Sequence, residues 1–509
     1  MTVKAVVRKN QYQDSVRLMT VSRQVSALDR VNNCLALLGT DGNKKVIKDL
    51  GLMDAGVKSA TPNDLVICID AASAKDWERA VAEVDKLLEQ SVEGDAGEEK
   101  AGSLSEALET NKDINMALFS IPGQFAKLDV MEALEKGLNV MLFSDNVSLE
   151  DEILLKKIAV QKNLLMMGPD CGTSIINGVP LAFANVVKRG SVGIVAASGT
   201  GIQEVTCLID SLGGGISHAI GVGGRDMKKG VDGMMMSLAI DKLARDKNTK
   251  TLVLISKPGD KAAMTKVMAR ARKTGMPVVA CFLGRGRAVK SGRGVTAVNT
   301  LEEAAFAAMK RKKPALKQTR KLSGEIKALG SKRKYIRGLY SGGTLCYEAL
   351  LLYDGKLDVH SNIALDAKLK LKYPAKGKKH YCIDMGDDDF TKGKPHPMID
   401  STLRTKRFVE EYRNPSTAVI LFDVVLGYGA SDDPAGDIID AIKKAEKKAG
   451  SKIKKGGDGP VLMAQVCGTN GDPQSLNAQE AKLGDAGVHL FATNADAVRA
   501  SIKAVERKL

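Results

Sequence analysis

At 509 residues the chain is too long for a single hydrophobic core, and its length suggests about three domains of roughly 150 residues each. Hydrophobic residues make up 44% and charged residues 27%, an ordinary globular composition, while aromatics at only 4% argue against recognition of bases or sugars by stacking. The net charge of +16 favours anionic partners over neutral ones, with solvated lysine decoration as the alternative, and eight single cysteines without a CxxC pair argue against disulfides and structural zinc. The start MTVKAVVRKN lacks the apolar centre of a signal peptide, and no apolar run approaches the roughly 18–20 residues of a membrane span. A cytoplasmic location and no membrane partner are expected.

In chain order, the apolar runs Val3–Val7, Asn33–Leu38 and Asp64–Ile69 predict strands, with a helix over Asp14–Leu28 between the first two. Residues 90–112 are acidic and bear Gly and Ser, as a surface excursion would. Strand–helix alternation follows: strand Ile114–Ile121, helix Ala126–Lys136, strand Asn139–Ser144, helix Leu149–Gln161, strand Leu164–Met167. Such alternation predicts a parallel sheet whose ligands bind beyond the carboxyl ends of the strands. That places Pro122, Gly123, Ser144, Asp145, Asn146, Asp170 and Cys171 at a candidate binding edge, although a small buried thiol is the commoner fate of a residue like Cys171.

A second α/β unit begins with strand Val192–Ala196, and a third with strand Ile336–Tyr340. The third repeats the second: SGTGIQE at Ser198–Glu204 matches SGGTLCYE at Ser341–Glu348, PVVACFLGRG matches PVLMAQVCGTNG, and GVTAVNTLEEAAFAAM matches GVHLFATNADAVRASI. Three matches in the same order point to an internal duplication. The basic stretch Lys310–Lys334 between the copies reads as a charged linker with a short helix, and since no recognition motif accompanies it, nucleic acid is not an expected partner. The expected organisation is an α/β chain with a Rossmann-like domain at 1–188, a first flavodoxin-like unit at 189–309, the linker at 310–334, and a second flavodoxin-like unit at 335–509.

Each copy carries a Ser/Gly/Thr loop between a strand and a helix: Ser198, Gly199, Thr200 and Gly201 in one, Ser341, Gly342, Gly343 and Thr344 in the other. Glycine lets the backbone approach a ligand, and the helix N-terminus offers unpaired N–H groups with partial positive charge, so each loop is a candidate anion cradle. Neither is a Walker A loop, because no GK[ST] follows. Gly223 and Gly224 with Arg225 form a further glycine loop, read either as a phosphate clamp or as a tight turn with a surface arginine. The stretch Asp384–Asp400, DMGDDDFTKGKPHPMID, gathers aspartates around Lys392, Lys394 and His396. Its spacing matches no EF-hand or zinc pattern, so no metal site is assigned, and a solvated acidic turn is the alternative. His396 stands between two prolines that would fix its place and is the candidate general acid/base.

These segments carry a family resemblance. ALFSIPGQFAKLDVMEALEKGLNVMLFSDNVSLEDE and GPDCGTSIING resemble the CoA-binding half of the succinyl-CoA synthetase α subunit, with Asp170 where Asn is usual. GSVGIVAASGTGIQE and GVGGRD resemble its serine phosphate loop and following Gly-Gly-Asp loop, and VCGTNGDP resembles a turn of the β subunit's carboxyl-terminal domain. The combination, together with GLYSGGTL and GKPHPMIDSTLR, is similar to the FdrA family. That resemblance implies one subunit of an oxamate carbamoyltransferase, moving carbamoyl between oxalurate and phosphate in purine and allantoin breakdown, with Ser198–Gly201 and Ser341–Thr344 holding phosphate and Arg225 clamping charge. Ser198, Ser341 and His396 would be the catalytic residues.

One departure from the synthetases bears on the chemistry. The segment after strand Pro277–Leu283 reads GRGRAVKSGRG and lacks the histidine that relays phosphate in that family, and Lys257 stands where an acid is expected. Three readings follow: a carbamoyltransferase subunit acting on carbamoyl phosphate and oxamate, an acyl-CoA ligase or CoA-binding subunit completed by partner subunits, and a non-catalytic scaffold. No cofactor is required, and CoA or a divalent cation are the candidates.

Overall fold

The computed structural model describes all residues except 1, 12, 14, 27, 41, 42, 45, 46, 49–52, 54, 90–100, 285–288, 317–319, 373–376, 378, 392–394, 450–458, 508 and 509. The chain is an α/β protein that divides into two compact units, Met1–Ala107 with Thr391–Pro395, and Leu108–Phe390 with His396–Leu509.

In the first unit, strands β1 (Thr2–Arg8), β2 (Val31–Leu38) and β3 (Leu65–Ala71) form a sheet in the order β1-β3-β2. β3 lies antiparallel to both neighbours. The periodicity had suggested that these strands open a Rossmann-like region, but they make a separate sheet. The β1–helix–β2 crossover leaves a one-strand gap that β3 fills from the opposite direction, and an apolar strand between helices reads the same either way. Leu65, Ile67 and Ile69 face Leu18, Val21, Val25, Ala80 and Val84 of the helices Ser15–Ser26 and Ala74–Glu89, while Val66 and Cys68 pack on Ile47 and Val57 behind. Of the acidic excursion, residues 90–100 lie outside the described residues, and a helix, Leu104–Thr110, follows them.

The second unit opens with three parallel strands, β4 (Met116–Phe119), β5 (Asn139–Leu142) and β6 (Met166–Met167), in the order β4-β5-β6. The helix Leu149–Gln161 between the last two is capped by Ser148, whose hydroxyl accepts from the Asp151 N–H at 3.0 Å.

A hairpin then joins β7 (Thr173–Ile176) and β8 (Val179–Ala182). Its two-residue turn, Asn177-Gly178, has φ of 52° and 80°, the left-handed pair that lets so short a loop follow the strand twist. The hairpin extends the sheet of β9 (Arg189–Ala197), β10 (Ile216–Gly221), β11 (Thr251–Ser256), β12 (Val278–Phe282) and β13 (Val295–Val298), in the order β13-β12-β11-β9-β10-β7-β8. A last sheet holds β14 (Tyr335–Tyr340), β15 (Tyr381–Asp384), β16 (Thr417–Val425), β17 (Val461–Cys467) and β18 (His489–Phe491), in the order β15-β14-β16-β17-β18.

Numbered within each copy, the five core strands of both sheets follow the flavodoxin-like order 2-1-3-4-5, all parallel. The duplication read from the sequence is therefore a duplication of topology. One continuous core runs through both copies, joining Ile202, Val205 and Leu301 of the first to Leu345, Ala349 and Val498 of the second. The basic stretch between them holds a helix, Arg320–Ala328, and Lys313 docks by ion pairs to Glu302 at 2.7 Å and Asp496 at 2.6 Å.

Candidate functional site

The helices Gly199–Ser211 and Gly343–Tyr353 start from the two Ser/Gly/Thr loops, and their N-termini meet. The Ser198 hydroxyl lies 2.7 Å from that of Thr344, and the Thr344 N–H donates to Thr200 Oγ1 at 3.2 Å. Ser198 Oγ also accepts from the Gly201 N–H at 3.0 Å, which caps its helix. Helix geometry leaves the first N–H groups, those of Gly199, Thr200 and Gly343, without intrahelical partners. Two positive helix ends therefore converge on one point, an arrangement that favours an anion.

The two loops differ in their surroundings. Asp423 of β16 turns into the second: Oδ1 accepts from the Ser341 N–H at 2.8 Å and from its hydroxyl at 3.0 Å, and Oδ2 from the Gly342 N–H at 2.6 Å. Arg404 closes the arrangement, donating from Nη1 to Asp423 Oδ1 at 3.0 Å, to the Asp423 carbonyl at 2.8 Å and to Ser341 Oγ at 3.2 Å. All of these groups are buried.

Asp384, the last residue of β15, reaches the same helix end. A side chain on Gly343 would lie 2.5 Å from its Oδ2. Burial pushes its carboxyl up to about 6 against the opposing pull of Lys257, with Asp387 and Asp423 adding to the rise. His396 closes the other side: a side chain on Gly386 would meet His396 Nε2 at 2.6 Å and Asp384 Oδ1 at 3.3 Å, so the glycine keeps open the space both groups face. His396 Nδ1 accepts from the Met398 N–H at 3.2 Å, which leaves Nε2 as the donor, and the ring leans on Phe183 at 5.6 Å between centroids. Burial and the nearby Arg404 cation bring its pKa down to about 4, so the ring is neutral at pH 7.

The strand-end residues gather at a neighbouring edge. Ser144 Oγ accepts from the Ile121 N–H at 3.0 Å, and Gly123 packs flush on the backbone after Asp145, so that a side chain there would sit 1.9 Å from the Asp145 carbonyl. Pro122 directly precedes that contact, and Asn146 has φ of 56°. The Asp170 carboxyl is raised above its ordinary value by the protein packed around it and by the charges of Asp145 and Asp388, and is opposed by Lys257 and Arg225. Cys171 turns away: its Sγ is buried against the Gly221 carbonyl at 3.4 Å and the Ser174 hydroxyl at 3.6 Å, and its thiol is pushed up to about 11.

The Gly223-Gly224-Arg225 loop is held from below by a buried ion cluster. Lys156 Nζ lies 2.9 Å from Glu152, from Asp226 and from the Val222 carbonyl. Arg225 is itself anchored, with Nε 2.8 Å from Glu152 Oε2 and Nη2 donating to the Val147 carbonyl at 2.8 Å. The Gly-Thr-Asn turn is a latch within the fold: Thr469 Oγ1 donates to the Val186 carbonyl at 2.6 Å, and Asp472 accepts from Val186 N–H at 2.7 Å and from Asn185 Nδ2 at 2.8 Å.

Ser198–Gly201 and Ser341–Thr344 thus meet at one junction, with His396 beside Ser341 and Asp384 on the second copy's side, whereas Gly223–Arg225 and the strand-end residues other than Cys171 line the adjoining edge. Lys392 and Lys394, and the 285–288 part of the GRGRAVKSGRG segment, lie outside the described residues. Among the described residues no group of three or more His, Cys, Asp or Glu side chains could hold a metal ion. Also among them, no helix is long and apolar enough to cross a membrane. Sequence reasoning missed Asp423 and Arg404 as members of the site. The signal for Arg404 was a helix, Thr402–Arg413, whose inward positions hold Arg404, Arg407 and Glu411 beside Phe408 and Tyr412.

Comparison with known proteins yields two family matches. A model of the CoA-ligase family matches residues 339–504. A model described as AllF, heavy metal-associated domain, matches residues 1–104. The uncharacterized protein YahF of Escherichia coli (strain K12) is 43% identical over 504 residues, covering 97% of this chain and 97% of YahF. The ADP-forming sulfoacetate-CoA ligase subunit SqwL of an Acholeplasma species is 29% identical over 38% of this chain and 65% of its own length. The α subunit of the ADP-forming succinate–CoA ligase of Aquifex aeolicus (strain VF5) is 28% identical over 28% of this chain and 48% of its own length. The chain spans less than two thirds of each of these two ligase subunits.

Proposed function

Because the chain belongs to one family with YahF and matches the CoA-ligase family over residues 339–504, we propose that it is a CoA-ligase-type acyl-transfer subunit. In this reading it binds phosphate, or the phosphate of an acyl phosphate, where the two loop helices meet, and exchanges the acyl group between a CoA thiol and that phosphate. The observation that carries the reading is the head-to-head junction of helix N-termini joined by the Ser198–Thr344 hydroxyl contact. In the direction of acyl phosphate formation, a phosphate oxygen attacks the thioester carbonyl carbon, the C–S bond breaks, and the departing thiolate takes up a proton. N–H donors at the helix ends would hold the developing oxyanion. Neutral His396 would offer its Nε2–H as a hydrogen-bond donor to the developing charge, and Asp384, its carboxyl raised to about 6, would supply the proton. The edge formed by Pro122, Gly123, Ser144, Asp145, Asn146 and Asp170 would take the CoA portion, and nucleotide chemistry would fall to a partner subunit.

A second reading is favoured by one specific feature. The GRGRAVKSGRG segment contains no histidine to carry phosphate, and Lys257 stands where an acid is expected. Carbamoyl transfer between oxalurate and phosphate needs no such carrier and uses the same attack of phosphate on an acyl carbon, with oxamate departing as the amide. One assay separates the readings. The purified chain, alone and with co-purifying subunits, is given acyl-CoA plus phosphate, and separately oxalurate plus phosphate. Phosphate-dependent thiol release supports the CoA reading. Carbamoyl phosphate formed from oxalurate without CoA replaces it with the second. Neither product, with no phosphate binding by calorimetry, removes both.

A further inference from the structure

In the 2-1-3-4-5 strand order the ligand crevice opens outside the carboxyl ends of strands one and three. In the second copy these are β14 and β16. β14 Leu339 pairs with β16 Phe422, so Asp423 stands level with the last residue of β14, and its carboxylate takes up the N–H groups of Ser341 and Gly342. In the first copy the matching strands are β9 and β11, where Ala197 pairs with Ser256. The position of Asp423 is thus held by a serine, whose hydroxyl turns back to donate to the Lys257 carbonyl at 2.6 Å. The next residue, Lys257, leaves β11 beside Ser198 as the latter leaves β9, one strand spacing away.

We infer that Lys257 is an anion-binding residue of the Ser198 loop, and that the chain takes one exogenous anion of the phosphate class there, while Asp423 fills the matching place in the Ser341 loop. The inference rests on the reading that this junction handles phosphate, and names which half of it does so. Lys257 is half-buried, and among the described residues it has no ion-pair partner. Its ammonium lies 5.7 Å from the ring centroid of Tyr347, a residue of the second copy's loop helix, so it reaches from its own copy to the other. Its charge bears on Asp384 at the junction and on Asp170 at the adjoining edge, opposing the rise of both carboxyls. A lysine between two acids with no fixed partner is placed to answer an arriving anion. The second loop, by contrast, holds a carboxylate and the arginine that neutralises it.

Titration calorimetry of the full chain with inorganic phosphate tests this. The wild type should bind one phosphate per chain. Lys257→Met should weaken that binding by about tenfold or more, the worth of a charge-assisted hydrogen bond, and Lys257→Arg should keep most of it. Ser256→Asp, which gives the first loop the carboxylate of the second, should abolish binding, with thermal melting to verify folding. Wild-type binding that Lys257→Met leaves unchanged overturns the role of Lys257 and leaves the functional reading standing. Two phosphates per chain overturn the assignment of Asp423. Failure of the wild type to bind phosphate removes the junction reading itself.

Discussion

The Ser198 and Ser341 loops are near-copies in sequence, each following the first strand of the same strand order, yet their electrostatics are opposite. The second contains its own anion: Asp423 receives two backbone N–H groups and a hydroxyl, and Arg404 balances its charge out of contact with water. The first has Ser256 and Lys257 at the corresponding strand end, hence hydroxyl and ammonium where the other has carboxylate. What a glycine loop at a helix N-terminus does is therefore decided by the neighbouring strand as much as by the loop. One copy spends its donors on internal structure and the other keeps them available.

The sharpest way to break this comparison is to empty the second loop. Asp423→Ala leaves Arg404 buried without its counter-charge and the Ser341 and Gly342 N–H groups without an acceptor. Removing one partner of a buried pair costs about 3–5 kcal/mol, the largest effect expected in this chain. A thermal or denaturant melt would register it as a large loss of stability, with partial recovery when Arg404→Met is added. A loss below about 1 kcal/mol would mean that Asp423 is no structural anion.

The next test concerns how the copies are joined. Each loop helix places a glutamate at the start of the other copy's last helix. Glu348 Oε1 accepts from the Leu301 N–H at 2.7 Å, and Glu204 Oε1 from the Asn494 N–H at 3.4 Å, while Glu204 Oε2 accepts from Gln465 at 2.9 Å. Burial, with the charge of Glu348 adding, pushes Glu204 up to about 8, and burial pushes Glu348 up to about 7. Both folded pKa values lie above the unfolded one, so the folded chain retains protons that the unfolded chain releases. Their contribution is full below about pH 4.5, declines as pH rises, and is gone above about pH 8. Stability should therefore fall between pH 5 and pH 8, by at most about 1.4 kcal/mol per pH unit for each proton. Glu204→Gln, which mimics the protonated form, should flatten part of that slope and gain relative stability at pH 8. An unchanged slope in melts at pH 5, 6.5 and 8 would show that Glu204 is not protonated in the fold.

What could be read in advance follows the range of the signals. Strand–glycine–helix loops announce themselves locally, so both cradles, the duplication and the helix Leu149–Gln161 were visible as residues in order. The Asn177-Gly178 turn was equally local, a two-residue hairpin signal between short apolar runs, but the strands it joins are only four residues each. Asp423 was not legible in its role, since that depends on which residue of β16 pairs beside Tyr340, a register that brings Ser341 to a residue 82 positions away. The same non-local choice made the first sheet antiparallel around β3, where strand composition alone is silent about direction. His396 could be singled out by its proline neighbours. Its neutral state could not, because that depends on burial beside Arg404.

The smallest effect concerns the contact that joins the two loops. Ser198 Oγ serves twice, as cap for the Gly201 N–H and as partner of the Thr344 hydroxyl. Thr344→Val keeps the shape of the side chain and the cap but removes the bridge, and should cost about 0.5–1.5 kcal/mol. Ser198→Ala removes both and should cost more, because losing a serine cap alone is worth about 1 kcal/mol. The double variant then decides whether the halves act as one site. If the two hydroxyls act as one bridge, the double variant should be no less stable than Ser198→Ala beyond the packing change, since the hydroxyl of Thr344 has already lost its partner. Additive losses in the melts would mean that each hydroxyl works within its own copy, and the convergence of the two helix ends would then have no energetic counterpart.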